Sequence, residues 1–463
     1  MSALMTVGEL ARVVLAHEVR GDARVAFDSV STDTRSLAAG ALFVALRGER
    51  FDAHEFVGTA RERGAVAAMV ERALEADLPQ VVVADARRAL GIGAAQWRAR
   101  FTLPVIAVAG SNGKTTVTQM IRSILSQAFG ERQQLATQGN LNNEIGVPLM
   151  LWRLGVQHRA AVFELGMNHP GEIATLAELV RPTVALVNNA QREHQEFMHS
   201  VEATARENGE VIAALPLSGE GVAVFPADDA CAPIWRELAG TRRVIDFALD
   251  ADAVVTANHV LSGDGARVSM ATPAGLIEVT LAVSGVHNVR NALAATACAL
   301  GIGVEARAIR LGLERFRPVS GRGERLRTRE GALLVDDSYN ANPDSVRAAI
   351  DLLAGQPAPR VLVLGDMGEV GDHGREFHRE VGAYARARGI EDLYALGAMT
   401  PASVEAFGRG HHFDTVEALV AALQPRLSPA ASVLVKGSRF MRMERVVRAL
   451  AADAAQASSE GTH

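Results

Sequence analysis

The sequence predicts an α/β protein in three domains. Short apolar runs at 104–109, 160–163 and 184–187 alternate with segments of helical spacing, and the alternation returns at 333–335, 361–364, 393–396 and 433–435. Strands that are apolar throughout, with helices between them, make parallel sheets covered on both faces. A chain of 463 residues suits three domains of ordinary size. Leu103-Pro104 and the charged, Gly-containing stretch 317–323 divide it into a small α/β domain (1–103), a central parallel-sheet domain (104–318) and a C-terminal Rossmann-like domain (319–463).

The central domain is built around residues 105–116, VIAVAGSNGKTT. The apolar run breaks into Gly110-Ser111-Asn112-Gly113 and then Lys114-Thr115-Thr116. Val117, Met120, Ile121, Ile124, Leu125 and Ala128 follow on one helical face. Strand, Gly-rich turn and helix together identify a phosphate loop of the P-loop ATPase type. The glycines let backbone N–H groups approach phosphate oxygens, and the helix N-terminus adds partial positive charge. Lys114 can reach the terminal phosphates of ATP, and Thr115 can present its hydroxyl to Mg²⁺. The full pattern asks for a glycine where Val108 stands, so this is the shortened form GxxGKT.

Of 47 basic residues all but Lys114 and Lys436 are Arg. A chain that writes Arg elsewhere keeps Lys where a compact point charge is needed, which marks both lysines as functional candidates. Net charge is −6 with no long basic run, which argues against general nucleic-acid binding. Two cysteines, Cys231 and Cys298, make no disulfide framework and suit a reducing cytosol. Met1 to Leu10 has no basic n-region and no long apolar core, so no signal peptide is expected. No run of about 18 apolar residues predicts a membrane span. Residues 454–463 read as a polar frayed tail.

The remaining elements follow in order. Ser31-Thr32-Asp33-Thr34-Arg35 is a polar turn before a strand at 41–46, and Asp52-Ala53-His54-Glu55-Phe56 follows. Hydroxyls and an Arg there either bind a diphosphate or form a capped turn with a surface Arg. Residues 137–148, with three Asn and two Gly, form a loop that is either plain or closes on polar ligand atoms. Glu164 ends the strand at 160–163, where a carboxylate in such a sheet either ligates Mg²⁺ or is merely solvated. The strand at 184–187 leads through Asn188-Asn189 to His194, a candidate for metal or phosphate. Asn288 and Asn291, three apart before an Ala-rich helix at 292–300, either offer two amides to adenine or ribose or cap the helix. In the last domain Asn342 is placed to N-cap a helix at 343–353 with Pro343 in its first turn. Its strand ends carry Asp336-Asp337, Gly365-Asp366-Met367 and Lys436-Gly437-Ser438-Arg439, so Lys436 lies where such sheets bind ligands.

Nine motifs carry a resemblance: STDTR, GSNGKTT, GNLNNEIGVPL, ELGMNHPGEI, GVHNVRNA, GRGERL, DDSYNANPDS, LGDMGEVG and VKGSR, spread over residues 31–439. The chain resembles the Mur ligases of peptidoglycan synthesis, and GNLNNEIGVPL with DDSYNANPDS resembles the member that adds D-alanyl-D-alanine to UDP-N-acetylmuramoyl-tripeptide. The resemblance implies a cytoplasmic, monomeric, ATP- and Mg²⁺-dependent ligase acting on those two substrates through an acyl phosphate. Another Mur-type ligase and a folylpolyglutamate-synthase-like ligase are the competing readings. The latter relative lacks a UDP-binding first domain, and residues 31–56 argue against it. A non-catalytic ATP-binding regulator is a further reading, opposed by Lys114, Glu164, His194, Arg322 and Asp337 occurring together.

By the same resemblance, Ser31, Thr32, Arg35, Asp52 and His54 lie near the UDP of the muramyl substrate. Gly110, Ser111, Asn112, Gly113, Lys114, Thr115 and Thr116 hold ATP phosphates, with Asn288 and Asn291 near the adenine and phosphates. Thr115 and Glu164 bind one Mg²⁺ and His194 helps bind a second. Arg322 and Asp337 reach ATP on domain closure, while Tyr339, Asn340, Asn342 and Lys436 face the incoming dipeptide. One position departs from the family. Where its members usually carry a lysine whose carbamate helps bind the second Mg²⁺, this chain has Asn208, within Ala205-Arg206-Glu207-Asn208-Gly209-Glu210. Either Asn208 holds a metal-bound water or Glu207 supplies the missing charge; the expectation is that no carbamate is needed and that the second Mg²⁺ is held mainly by His194 and substrate oxygens.

Overall fold

The computed structural model describes residues 3–48, 51–193, 195–217 and 219–452. His194 and the tail expected at 454–463 lie outside the described residues. Three larger sheets and two smaller ones organise the chain.

The first large sheet runs in the order Glu18–Arg20, Gln80–Val82, Ala67–Val70, Ala41–Val44, Ser29–Ser31, parallel except at its Glu18–Arg20 edge. Ala41–Val44 is buried throughout, as an unbroken apolar run requires when both faces are covered.

The central sheet is all parallel: Arg243–Val244, Val222–Val224, Val184–Val187, Val105–Ala109, Ala160–Glu164, Gln134–Ala136. Successive side chains of a strand point to opposite faces. Ile106 and Val108 therefore enter a core with Lys114–Phe129 and Val286–Gly301, while Val105, Ala107 and Ala109 enter one with Glu172–Val180 and Val201–Ala213. The second of these cores continues without a break into the N-terminal part. It includes Leu10, Phe27, Leu42, Leu90 and Trp97, and Trp97 stacks on Trp152 at 6.1 Å between ring centroids.

A four-stranded sheet, Phe247–Ala248, Val255–Leu261, Ala266–Thr272 and Gly275–Leu281, was not expected. Its last three strands form an antiparallel meander. They are buried on one face only, through Val268, Met270, Ile277 and Val279. Such strands alternate rather than run apolar, so they lack the signature that reveals the parallel strands.

The C-terminal sheet orders Glu324–Arg327, Leu333–Asp337, Ser432–Lys436, Arg360–Gly365, Asp392–Leu396 and His411–Phe413, parallel but for the first pair. Asp337 lies opposite Lys436 in the register, so both side chains emerge at the carboxyl ends of neighbouring strands. Ligands of open α/β sheets bind at that edge. The helix expected at 292–300 begins earlier, at Val286, which puts Asn288 and Asn291 in its first turns.

Candidate functional site

Gly110 and Gly113 shape the phosphate loop, with φ of 126° and 81°. A Cβ at Gly110 would lie 2.9 Å from the Asn188 backbone nitrogen, and one at Gly113 would lie 2.6 Å from Asn291 Oδ1, so only glycine fits this close approach. The loop is held by the segment after the Val184–Val187 strand. Asn188 Nδ2 donates to Asn112 O (2.8 Å) and to Asn291 Oδ1 (3.0 Å). Asn189 Oδ1 accepts from Asn112 N (2.9 Å), and the Gln191 backbone N–H donates to Ser111 Oγ (2.9 Å). Asn288 and Asn291 are joined at 3.3 Å, which continues the amide network into the Val286–Gly301 helix.

Lys114 Nζ donates to Gly110 O (2.6 Å) and Ser111 O (3.2 Å) and pairs with Glu193 at 3.3 Å. An ammonium satisfied by carbonyls and a carboxylate can exchange these for phosphate oxygens without being stranded. Thr115, in the first turn of the Lys114–Phe129 helix, is buried beside the cleft. Glu164 ends the strand next to the P-loop strand, opposite Val108. It is 3% exposed, accepts from Asn142 Nδ2 at 2.7 Å, and also lines the cleft. A hydroxyl and a buried carboxylate are hard oxygen ligands of the kind Mg²⁺ takes, and the carboxylate keeps acceptor capacity beyond its Asn142 contact.

The structure gives both residues at the departure, Asn208 and Glu207, partners within the protein. Asn208 Oδ1 accepts from Gly110 N at 2.8 Å and its Nδ2 donates to Thr204 O at 3.1 Å, both within the interior. The residue anchors the phosphate loop, and both ends of its amide are engaged within the protein. Glu207 accepts from Gly171 N (2.9 Å) and Ile173 N (3.0 Å), at the start of the Glu172–Val180 helix. It serves that helix terminus, where carboxylates are favoured.

The C-terminal domain closes the other wall. Lys436 Nζ donates to Asp337 Oδ2 at 2.6 Å and to Asn340 O at 3.0 Å, so the two residues assigned separately to dipeptide and ATP form one ion pair. The Arg322 guanidinium lies 4.1 Å from the Tyr339 ring centroid, a cation–π contact that sets it at the cleft edge. Asp336 was passed over for its neighbour. It is buried and accepts from Gly321 N (3.0 Å) and Ser338 Oγ (2.5 Å), pinning the linker glycine to the sheet. Asn342 caps the Pro343–Ala354 helix through Ser345 N and also exchanges two hydrogen bonds with Asn112 of the phosphate loop (3.0 and 3.3 Å). Its amide thus ties the helix start to the neighbouring domain while the residue lines the cavity.

Sequence reading also missed Arg192. It forks onto Asp344 (2.6 Å) and Glu380 (2.6 Å), and its guanidinium holds the Glu380 carboxyl below its ordinary range. Together these walls enclose a cavity of about 1470 Å³, which His287 also lines with its imidazole pushed down by burial.

The residues expected near UDP lie outside this cavity, on the N-terminal sheet. Ser31 and Arg35 engage Asp33, the Arg through an exposed fork at 2.8 to 3.1 Å, and Thr32 sits between them in the turn. His54 is held within the protein. It is 3% exposed, with Nδ1 on Asp52 Oδ1 (2.5 Å) and Nε2 accepting from Glu71 N (2.8 Å), so neither ring nitrogen is open to a ligand. Asp52 is tied to His54 and to Arg72 (2.8 Å), which together hold its carboxyl well below the usual range.

A P-loop sheet facing a Rossmann-like domain across one cleft, with a buried acidic strand end and one Lys on each wall, defines a nucleotide-dependent ligase of the Mur type. The chain belongs to the Mur ligase family: it matches the family's catalytic-domain model at 26–101, its middle domain at 108–299 and its glutamate ligase domain at 321–439. It is 43% identical to the UDP-N-acetylmuramoyl-tripeptide--D-alanyl-D-alanine ligase of Escherichia coli, over 94% of this chain and 96% of that one. Among solved structures it resembles MurF from Acinetobacter baumannii, with a TM-score of 0.89 at 35% identity over 96% and 98% of the two chains. It also resembles MurF from Thermotoga maritima in complex with ADP, with a TM-score of 0.78 at 26% identity over 91% and 96%.

Proposed function

We infer that this chain joins D-alanyl-D-alanine to UDP-N-acetylmuramoyl-tripeptide with conversion of ATP to ADP and phosphate. The observation that carries the reading is the full-length likeness to ligases of that name, in a chain whose phosphate loop and Lys436–Asp337 pair face one cavity. A carboxylate is a poor electrophile at neutral pH. Attack of the tripeptide carboxylate on the γ-phosphorus expels ADP and leaves an acyl phosphate. The dipeptide amine, once deprotonated, attacks the acyl carbon, and phosphate leaves as the amide forms. Lys114 neutralises charge on the transferring phosphoryl group. Mg²⁺, held by Thr115 and Glu164, supplies further charge neutralisation when bound. Arg322 and the Lys436–Asp337 pair, on the facing wall, exclude water from an intermediate that water would destroy.

The Arg35–Asp33 fork is exposed, and water screens such pairs so that they add little to stability. Arg35 can therefore release Asp33 for a diphosphate, which supports a UDP site formed with Ser31 and Thr32, while Asp52 and His54 support the sheet behind it. Two free, buried cysteines support a cytoplasmic location, and no helix among the described residues is long and apolar enough to cross a membrane.

Phosphate release from ATP, measured with UDP-N-acetylmuramoyl-tripeptide in the presence and absence of D-alanyl-D-alanine, tests the function. Release should need both substrates and match amide formation one for one. Equal or faster turnover with a single amino acid in place of the dipeptide would overturn it.

A further inference from the structure

Arg192 belongs to the loop that holds the phosphate loop, between Gln191, which contacts Ser111, and Glu193, which pairs with Lys114. Yet its own side chain points away, into the C-terminal domain. There Nη2 and Nε fork onto Asp344 (2.6 and 3.2 Å), and Nη1 and Nη2 fork onto Glu380 (2.6 and 3.1 Å). The Arg192 backbone N–H adds a third contact to Asp344 at 2.9 Å, and the guanidinium face lies 5.2 Å from the Phe377 ring centroid. All three charged side chains are about three-quarters buried. Only a planar, five-donor cation can serve two carboxylates on two helices at once.

Asp344 stands two residues beyond Asn342, in the first turn of the Pro343–Ala354 helix. The helix start is thus tied to the central domain at two points, Asn342 to Asn112 and Asp344 to Arg192. The first of these points lies in the phosphate loop itself and the second in the segment that holds it. We propose that Arg192 is a positioning residue that docks the C-terminal domain onto the phosphate loop, so that the Lys436–Asp337 wall meets the acyl phosphate. Arg192 touches no reacting atom in this role. It acts by setting the distance between two walls whose chemistry lies elsewhere. Because the contact is made by charges with residual solvent exposure, docking is reversible and weakens with salt.

The proposal rests on the ligase reading, and its test separates the two. Arg192→Gln removes both forks; Asp344→Asn with Glu380→Gln removes them from the other side and covers the case in which the first variant fails to fold. Arg192→Lys keeps the charge but reaches one carboxylate. Small-angle scattering of the proteins saturated with a non-hydrolysable ATP analogue should show a larger radius of gyration for both charge-removing variants, and the wild type should approach it in about 1 M salt. In the ligation assay kcat for amide should fall on the order of tenfold, as loss of a partly buried charge pair allows, with KM for ATP within about twofold. Phosphate release should exceed amide formed, because an undocked acyl phosphate is open to water. Arg192→Lys should recover part of both readouts. An unchanged radius in the charge-removing variants overturns the proposal even if kcat falls, since Arg192 would then act within its own loop. An enlarged radius with phosphate and amide still equal and kcat unchanged overturns the coupling. A wild type that forms no amide would instead count against the ligase reading, and the scattering result still decides whether Arg192 docks the domain.

Discussion

Lys436 Nζ lies 2.6 Å from Asp337 Oδ2, across two neighbouring parallel strands at their carboxyl ends. Lys436 is 4% exposed, so its charge depends on this partner and on Asn340 O. Lys436→Met should cost about 2–3 kcal/mol of stability, at the low side of the range for a broken buried pair because Asp337 keeps some solvent. Lys436→Met combined with Asp337→Asn should recover most of that loss in urea unfolding while ligation stays lost. A double variant as unstable as the single would show that the pair is not the source of the effect.

Lys114→Ala removes the cation facing the transferring phosphoryl group. Acyl-phosphate formation, followed by trapping with hydroxylamine, should fall by at least about 10²-fold. Binding of the UDP substrate, measured by calorimetry, should hold within about twofold, because the proposed UDP residues, Ser31 at the end of its strand and Thr32 and Arg35 in the turn after it, lie outside the cavity that Lys114 lines. A large loss of that affinity would show that the two sites are not independent.

Asn208 holds Gly110 N and has no amine to carbamylate. Activity should therefore be the same in carbon-dioxide-stripped buffer, after incubation at mildly acidic pH, as in buffer with bicarbonate. Asn208→Ala should leave the buried Gly110 N–H without its acceptor, lowering stability by about 1–3 kcal/mol and raising KM for ATP. Recovery of stripped enzyme by bicarbonate is the result that would refute this.

His378 is fully buried, donates from Nδ1 to Gly374 O (2.6 Å) and accepts at Nε2 from Met367 N (3.0 Å). Burial pushes its pKa below the ordinary histidine value, against the pull of Asp366 at 3.8 Å. The unfolded chain thus takes up a proton at a pH where the folded chain does not. Stability should be fully present above the ordinary histidine pKa of about 6.5 and decline as pH falls from there toward the depressed folded value. The slope of urea-unfolding free energy between pH 7 and 5 checks this. His378→Gln should flatten that part of the profile, and an unaltered slope would assign the acid sensitivity to other groups.

Much of the site was legible because the residues that make it are forced by backbone geometry. Gly110, Gly113 and Lys114 announce a phosphate loop, and Glu164, Asp337 and Lys436 stand at strand ends that apolar runs locate. The residues that lock these in place left weaker traces. Arg192 is one Arg among many, and its importance comes from Asp344 and Glu380, which lie 152 and 188 positions away. His54 stood near the UDP by resemblance alone, and its partners, Asp52 and the backbone N–H of Glu71, come from positions that no local pattern links to it. The meander from Val255 to Leu281 was legible in principle, since its strands alternate, but one-sided burial leaves a fainter pattern than the runs beside it.

The stacking of Trp97 on Trp152 lies inside a core that passes without interruption from the N-terminal sheet into the central one, whereas the C-terminal sheet encloses cores of its own. A biochemist wishing to cut this enzyme into pieces should therefore expect two, not three. A protease or stop codon placed near residue 320 separates two self-sufficient bodies, while a cut near residue 103 splits one hydrophobic interior and leaves Trp152 bare. Calorimetric melting should accordingly resolve into two heat-absorption peaks, with the N-terminal and central parts sharing one of them.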